Sequence, residues 1–167
     1  MLLIKDLPDA NILRRFAERY EGVDSDAVIQ FLNILSIGAD LTEALDGFLA
    51  TYGLLQGRWW VLLLLMREPN LTSTPSILAE KAGVTRATMT RLINGLVRDG
   101  LVSRQEDRND RRSYTVGLTE TGQAKLDEVM PDYYPRVSKL MNSIPAQQRE
   151  VLLEQLLLLK KHSKVFK

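Results

Sequence analysis

The chain has 167 residues, a formal net charge of +1 at pH 7 and no cysteine. This length suits one domain with a substantial core, and the lack of cysteine excludes disulfides, thiolate zinc sites and thiol redox switches in this sequence. We expect no transmembrane helix, because no run of about 18 apolar residues is free of charge, and charges throughout residues 1–20 argue against a signal peptide. We therefore expect a cytoplasmic protein without membrane contact.

Three helices are predicted before residue 70. The first covers about 11–20 and carries an apolar stripe, and the second covers about 26–52 and has a broad apolar face. The third covers about 54–67 and contains both tryptophans, Trp59 and Trp60, followed by a continuous apolar run. So continuous a run indicates a helix that is buried on most sides.

The segment 74–98 predicts a helix-turn-helix. Thr74, which is followed by proline, suits the N-cap of a short helix, since proline is tolerated at the first helical position. Gly83 suits a left-handed residue in the turn. Thr85 then suits the N-cap of a second helix, which is expected to end near Arg98.

The second helix of this pair has one apolar and one polar face. Its apolar face is predicted to place Met89, Leu92, Ile93, Leu96 and Val97 in the core. The polar side chains can bind base edges and phosphates, although an ordinary solvated surface would have a similar composition. The candidate DNA-binding residues of this segment are Thr74, Thr85, Arg86, Thr88, Thr90, Arg91, Asn94 and Arg98.

A β-hairpin is predicted to follow, with strands over 101–106 and 113–118, because the second strand alternates with a period of two. The tip, residues 107–112, is polar and basic. Such a tip can lie along phosphates or place an arginine in the minor groove, and the alternative is a plain charged turn. Asp110 would orient a neighbouring arginine. The candidates at the tip are Arg108, Asp110, Arg111 and Arg112.

Basic charge is concentrated in the same region. Residues 74–112 hold eight of the 22 basic residues but only five of the 21 acidic residues. The chain is nearly neutral overall but contains a basic segment at residues 74–112. A two-fold dimer would double the charge of this segment.

Two further helices are predicted after the hairpin. Thr119 suits the N-cap of the first, and Pro131 and Pro135 are expected to interrupt it with a kink. The last helix, about 145–162, is apolar nearly all round, so a monomer would expose a large apolar patch. We interpret this helix, together with the N-terminal helix, as a dimer interface. A dimer would place two recognition helices about 34 Å apart, in successive major grooves.

The run 78–122 resembles the MarR family of winged helix-turn-helix regulators, and helical segments on both sides extend the resemblance over most of the chain. Its most specific parts are Val84–Arg91, Gly100–Val102, Asp110–Arg112 and Leu118–Gly122. The resemblance implies a homodimeric transcription factor, expected to be a repressor, that binds a palindromic operator in double-stranded DNA and is released by a small aromatic or phenolic ligand. By position, Arg112 matches the wing arginine of the family, and Thr88, Thr90 and Arg91 match its recognition-helix contacts.

We therefore predict a mainly α fold with a small β-hairpin wing, in which a winged helix-turn-helix is joined to a helical dimerisation region. The chain would form one MarR-like domain. Residues 1–53 and 120–167 would supply the dimerisation region, and 54–119 the DNA-binding lobe, with its core motif at 74–118.

The two tryptophans have two interpretations. Both can be ordinary core residues, which is the commoner role. Alternatively, one of them lines an effector pocket between the dimerisation helices and the DNA-binding lobe, near Tyr52 and Arg58. An indole beside a guanidinium would suit an aromatic carboxylate, with its ring on the indole and its anion on the arginine.

Enzymatic activity is not predicted, because the sequence lacks a phosphate-binding glycine motif and a nucleophile elbow. The single histidine, His162, has no obvious catalytic or metal partner, so no cofactor or metal is expected. The remaining alternative is a winged helix that contacts proteins and not DNA. Arg91 and the arginine-rich tip argue against it, and the salt dependence of binding would separate the two.

Overall fold

The computed structural model describes residues 8, 10–106 and 114–166. The chain divides into two compact units, Met1–Val61 and Leu62–Lys167. As predicted, it is mainly helical with one small antiparallel sheet.

The first unit contains helices α1 (Ala10–Arg19) and α2 (Ser25–Ala50) and the first half of α3 (Gln56–Met66). The Asp24 side chain caps α2 by accepting a hydrogen bond from the Ala27 N–H at 3.0 Å. All three helices lie within a few residues of their predicted bounds.

Helix α2 is long and apolar enough to span a membrane by length and composition alone. Such a helix was not expected from the sequence, because we required a run of about 18 apolar residues without any charged residue. The helix carries Asp26, Asp40, Glu43 and Asp46, and acidic side chains are costly in a bilayer. A protein partner could also cover the exposed apolar side chains of α2.

The second unit begins with the rest of α3 and a short 3-10 helix, Pro69–Leu71. The elements that follow are β1 (Thr72–Ser73), α4 (Pro75–Ala82), α5 (Arg86–Arg98), β2 (Val102–Glu106), β3 (Tyr114–Leu118), α6 (Glu120–Met141), α7 (Ala146–His162) and a 3-10 turn, Ser163–Phe166.

The sheet has the strand order β1-β3-β2, and both pairs are antiparallel. The hairpin β2–β3 was predicted, but β1 was not. Strand β1 pairs Thr72 with Gly117 and Ser73 with Val116. Two residues are too few to show a period, so only the long-range pairing identifies this strand.

The core of the second unit lies between the helix-turn-helix, the sheet and α6. Its fully buried side chains include Leu78, Met89, Ile93, Leu96, Val116 and Leu126. The prediction for α5 is wrong at Val97, which is 37% exposed, and Leu92 is half-buried. Val97 lies at the edge of the stripe formed by Met89, Ile93 and Leu96, near the end of the helix.

Helix α6 begins as predicted, since the Thr119 hydroxyl accepts a hydrogen bond from the Gly122 N–H at 3.0 Å. Helix α6 continues through Pro131 and Pro135, so the predicted interruption is wrong, whereas the predicted kink stays a prediction. Each proline removes one N–H donor from the helix. Both prolines are exposed, so water can bond the carbonyls that lose a donor.

Candidate nucleic-acid interface

A tight turn joins α4 to α5. The Thr74 hydroxyl caps α4 by accepting a hydrogen bond from the Ile77 N–H at 3.3 Å. Gly83 ends α4 with φ +65°, a left-handed conformation that favours glycine. Thr85 then caps α5 through the Thr88 N–H at 3.1 Å. The helix-turn-helix therefore has the bounds that its capping residues predict.

Two threonine contacts limit what the first turns of α5 offer to a ligand. The hydroxyls of Thr85 and Thr88 lie 3.0 Å apart, and the Thr90 hydroxyl donates to the Arg86 carbonyl at 2.9 Å. With its proton engaged, Thr90 presents oxygen lone pairs and a methyl group. These suit a base amino group or a thymine methyl better than a phosphate, which needs a donor.

The rest of the predicted contact face is exposed. Arg86, Arg91, Asn94 and Arg98 are all exposed, as predicted. Arg98 lies beside a carboxylate, with its Nε 3.4 Å from Asp99 Oδ1, but a surface ion pair of this kind is weak. The buried opposite side of α5 holds these polar groups outward. Their contact with DNA stays a prediction.

Asn94 has a partner that the sequence analysis missed. Its Oδ1 accepts a hydrogen bond from Nη2 of Arg104 on β2. The guanidinium carbon of Arg104 lies 4.8 Å from the ring centroid of Tyr114 on β3. The period-two pattern of the hairpin could have placed Arg104 and Tyr114 on one face of the sheet, but it gives no link to Asn94 on α5.

The four candidates at the hairpin tip, Arg108, Asp110, Arg111 and Arg112, lie outside the described residues. Strand β2 ends at Glu106 and β3 begins at Tyr114, on either side of these residues. The predicted contacts of these side chains with phosphate or the minor groove stay predictions.

The four residues of the predicted effector pocket differ in exposure. Trp59 is fully buried, as the core interpretation predicts, whereas Trp60 is 41% exposed. Tyr52 and Arg58 are half-buried, and the Tyr52 ring makes an edge contact with Phe48, with 5.3 Å between the ring centroids. Trp60 is therefore the tryptophan that a ligand can reach, and the pocket itself stays a prediction.

A metal site is not indicated in the part of the chain that the structure describes, where no group of three or more His, Asp or Glu side chains could hold an ion. His162 is exposed in the last turn of α7.

Comparison with known proteins identifies the fold and the family. A family model described as the MarR family matches residues 52–113. The transcriptional repressor YetL of Bacillus subtilis is 30% identical over 153 residues, which cover 92% of this chain and 92% of YetL.

Two solved structures share the fold at lower identity. The MarR-family regulator Sco3205 of Streptomyces coelicolor, in complex with DNA, has a TM-score of 0.76 and 19% identity, over 86% of this chain and 91% of Sco3205. An organohalide-sensing transcriptional regulator in its 2,4-dichlorophenol-bound form has a TM-score of 0.75 and 17% identity, over 98% of this chain and 90% of that chain. The chain belongs to the MarR family of winged helix-turn-helix transcriptional regulators, which bind DNA and are not enzymes.

Proposed function

We propose that this regulator is a homodimer that represses transcription from a palindromic operator and leaves the operator when a small aromatic ligand binds. The observation that carries the proposal is the uncovered leucine surface of α7. As a DNA-binding repressor, the protein would act in the cytoplasm.

Helix α7 exposes apolar side chains around its whole circumference. Each is between 41% and 58% exposed in the single chain: Val151, Leu152, Leu153, Leu156, Leu157, Leu158 and Leu159. A helix that is apolar on all sides is normally buried, and monomers rarely expose so large a contiguous apolar patch. This surface therefore supports a partner that encloses α7.

A second copy of the chain is the partner that this surface suits best. A groove of about 420 Å³ beside α7 is lined mainly by apolar side chains, with Arg149 and Glu150 among them. A two-fold axis pairs a surface with itself. Because Arg149 and Glu150 have opposite charges, a two-fold axis that passes between them would place each beside the other residue of the second copy.

A two-fold dimer would also place the exposed faces of two α5 helices where both can bind DNA. Two such helices about 34 Å apart meet successive major grooves on one side of DNA, so the preferred operator is a palindrome. Arg86 and Arg91 are placed to reach bases or phosphates. The arginines of the hairpin tip would enter the neighbouring minor groove.

The ligand that relieves repression is proposed to bind beside α3. The exposed Trp60 offers an indole face to an aromatic ring, and the half-buried Arg58 of the same helix offers a guanidinium to an anion. One protein of the same fold has been solved in a form bound to 2,4-dichlorophenol. Such a ligand would act by binding more tightly to a dimer whose recognition helices are wrongly spaced for the operator.

The dimer is tested by adding one charge to α7. Leu157→Glu places a carboxylate in the proposed interface and should yield a monomer in sedimentation velocity. Gln148→Glu adds the same charge to an exposed polar position in the first turn of α7, before the apolar run begins, and should leave the assembly intact. A Leu157→Glu protein that sediments as the wild type does would contradict the dimer through α7.

Operator binding is tested by selecting genomic DNA fragments on the purified protein at about physiological salt. The wild type should enrich a palindrome, and Arg91→Ala should not. Arg136→Ala is the matched control, because it removes the same charge from an exposed position on α6. If no fragment is enriched even after refolding from denaturant, which strips bound ligands, the winged helix serves protein contacts.

A further inference from the structure

We propose that Arg104 positions the wing against the recognition helix and binds the phosphate strand that runs between the two grooves. The proposal rests on the proposed operator binding and adds a residue to it. It also gives Asn94 a different role from the adenine contact that its residue type suggests.

The register of the hairpin explains why Arg104 reaches α5. Val102 pairs with Leu118, and Arg104 pairs with Val116. Val102 and Val116 are 2% and 0% exposed, so their face of the hairpin packs into the core, and side chains of one strand alternate between faces. Arg104 therefore continues the core-facing row, at the point where the hairpin leaves the core beside α5.

Two contacts hold the Arg104 side chain at this point. Its Nη2 donates to Asn94 Oδ1 on α5, and its guanidinium stacks over the Tyr114 ring on β3. The ring position follows from the pairing of Tyr114 with Glu106, since Tyr114 and Arg104 are diagonal neighbours on one face. A single side chain thus joins the recognition helix to both strands of the wing.

Neither contact neutralises the charge of Arg104, because the Asn94 amide and the Tyr114 ring are both neutral. A guanidinium has five N–H donors and a planar fork that suits phosphate oxygens. The contact with Asn94 occupies one part of that fork. The rest of the group remains able to bind an anion with charge-assisted hydrogen bonds.

The position of Arg104 indicates which anion it meets. A winged helix places its recognition helix in the major groove and its wing in the adjacent minor groove, so one phosphate strand passes between the two elements. Arg104 bridges α5 and the base of the wing, and we infer that it contacts this strand. Asn94 then acts as a positioning residue for Arg104.

The test measures the affinity for a selected operator and for a mixed-sequence duplex of about three helical turns over a series of salt concentrations. Arg104→Ala should weaken binding to both duplexes by about tenfold. It should also reduce the slope of log K against log salt by about 1, since one phosphate contact is lost. Gln105→Ala, on the other face of β2, should change neither quantity.

A second pair of variants separates the charge of Arg104 from its structural role. Arg104→Gln keeps a donor for Asn94 but has no charge, so it should lose the same salt slope while thermal unfolding stays near that of the wild type. Arg104→Lys should recover the slope but not the full affinity, because an ammonium lacks the planar fork. A purely structural role would leave the slope of Arg104→Gln unchanged, and that result would overturn the proposal.

The role of Asn94 is tested by a double-mutant cycle. Asn94→Ala should weaken binding equally for all sequences, and its effect should largely disappear in the Arg104→Ala background, because contacting residues couple. A changed preference at one base pair would mean that Asn94 reads a base, and it would overturn the positioning role. If the wild type binds no DNA, operator binding fails together with this proposal. If the wild type binds and Arg104→Ala binds with equal affinity and slope, this proposal alone fails.

Discussion

The hydroxyl of Thr119 donates a hydrogen bond to the backbone carbonyl of Gly100, with 2.7 Å between the two oxygens. The same hydroxyl accepts from the Gly122 N–H, and the Thr119 N–H donates to the Leu101 carbonyl at 3.2 Å. The first turn of α6 is therefore tied to the residues that directly follow α5. The Thr119 side chain and its backbone N–H therefore connect the end of α5, the recognition helix, to the start of α6.

Replacing Thr119 with valine should destabilise the connection between α5 and α6 and so lower the stability of the protein. Thr119→Val keeps the shape of the side chain but removes its hydrogen bonds, leaving the Gly100 carbonyl and the Gly122 N–H without that partner. We expect the free energy of unfolding in urea to fall by about 1–3 kcal/mol. Thr119→Ser keeps the hydroxyl and should lose less than half as much. Equal losses in the two variants would mean that the hydroxyl contributes little.

Gly122 permits a second close contact in the same place. A Cβ on this residue would lie 2.0 Å from the Leu101 carbonyl oxygen and 2.8 Å from Leu118 Cδ1. Alanine normally stabilises a helix relative to glycine. Here Gly122→Ala should instead lower the free energy of unfolding by at least about 2 kcal/mol, because backbone atoms must move apart.

The matched control for this substitution is Gly47→Ala in α2, where an added Cβ would have no atom within 4 Å. This variant should stabilise the protein by about 0.4–1 kcal/mol. The same chemical change is thus expected to act with opposite signs at the two sites. Two variants that shift urea unfolding in the same direction would contradict the packing argument for Gly122.

Local chemistry explains which elements were predictable from the sequence. Thr74 and Thr85 accept hydrogen bonds from backbone N–H groups in the first turns of their helices, and Gly83 adopts the left-handed conformation that ends α4. Each of these effects acts within a few residues in the sequence. The bounds of α4 and α5 were therefore predicted closely. The exposure of Arg91 and Asn94 followed from the helical period in the same way.

Long-range contacts explain what was missed. Strand β1 is defined by its pairing with residues more than 40 positions away in the sequence, such as Thr72 with Gly117. No local sequence pattern predicts this strand. Arg104 was not among the candidates, because its two partners come from a helix and another strand. The continuity of α6 through Pro131 was also missed, because exposure of the ring depends on the tertiary structure.

The wing arginine should contribute to DNA affinity mainly through its charge. Arg112→Ala should weaken operator binding by about tenfold and reduce the salt slope by about 1, because one contact with a phosphate or the minor groove is lost. Fluorescence anisotropy on the selected operator at several salt concentrations measures both quantities. Arg136→Ala is again the matched control. An unchanged affinity and slope in Arg112→Ala would remove this arginine from the DNA interface.

Arg58 should decide the response to an aromatic carboxylate without affecting DNA affinity. Benzoate should release the wild type from the selected operator, and Arg58→Ala should need a concentration at least about tenfold higher, because the anion loses its charge-assisted partner. Phenol has the ring without the carboxylate, so the two proteins should respond to it alike.

Two controls accompany the Arg58 experiment. Arg67→Ala removes the same charge just beyond the end of α3, where Arg67 is exposed, and should respond to benzoate as the wild type does. Trp60→Leu should weaken the responses to benzoate and phenol together, because both ligands would stack on the exposed indole. An Arg58→Ala protein released by benzoate as readily as the wild type would exclude Arg58 from the pocket. Failure of both ligands to release the wild type would exclude a site for simple aromatic rings beside Trp60.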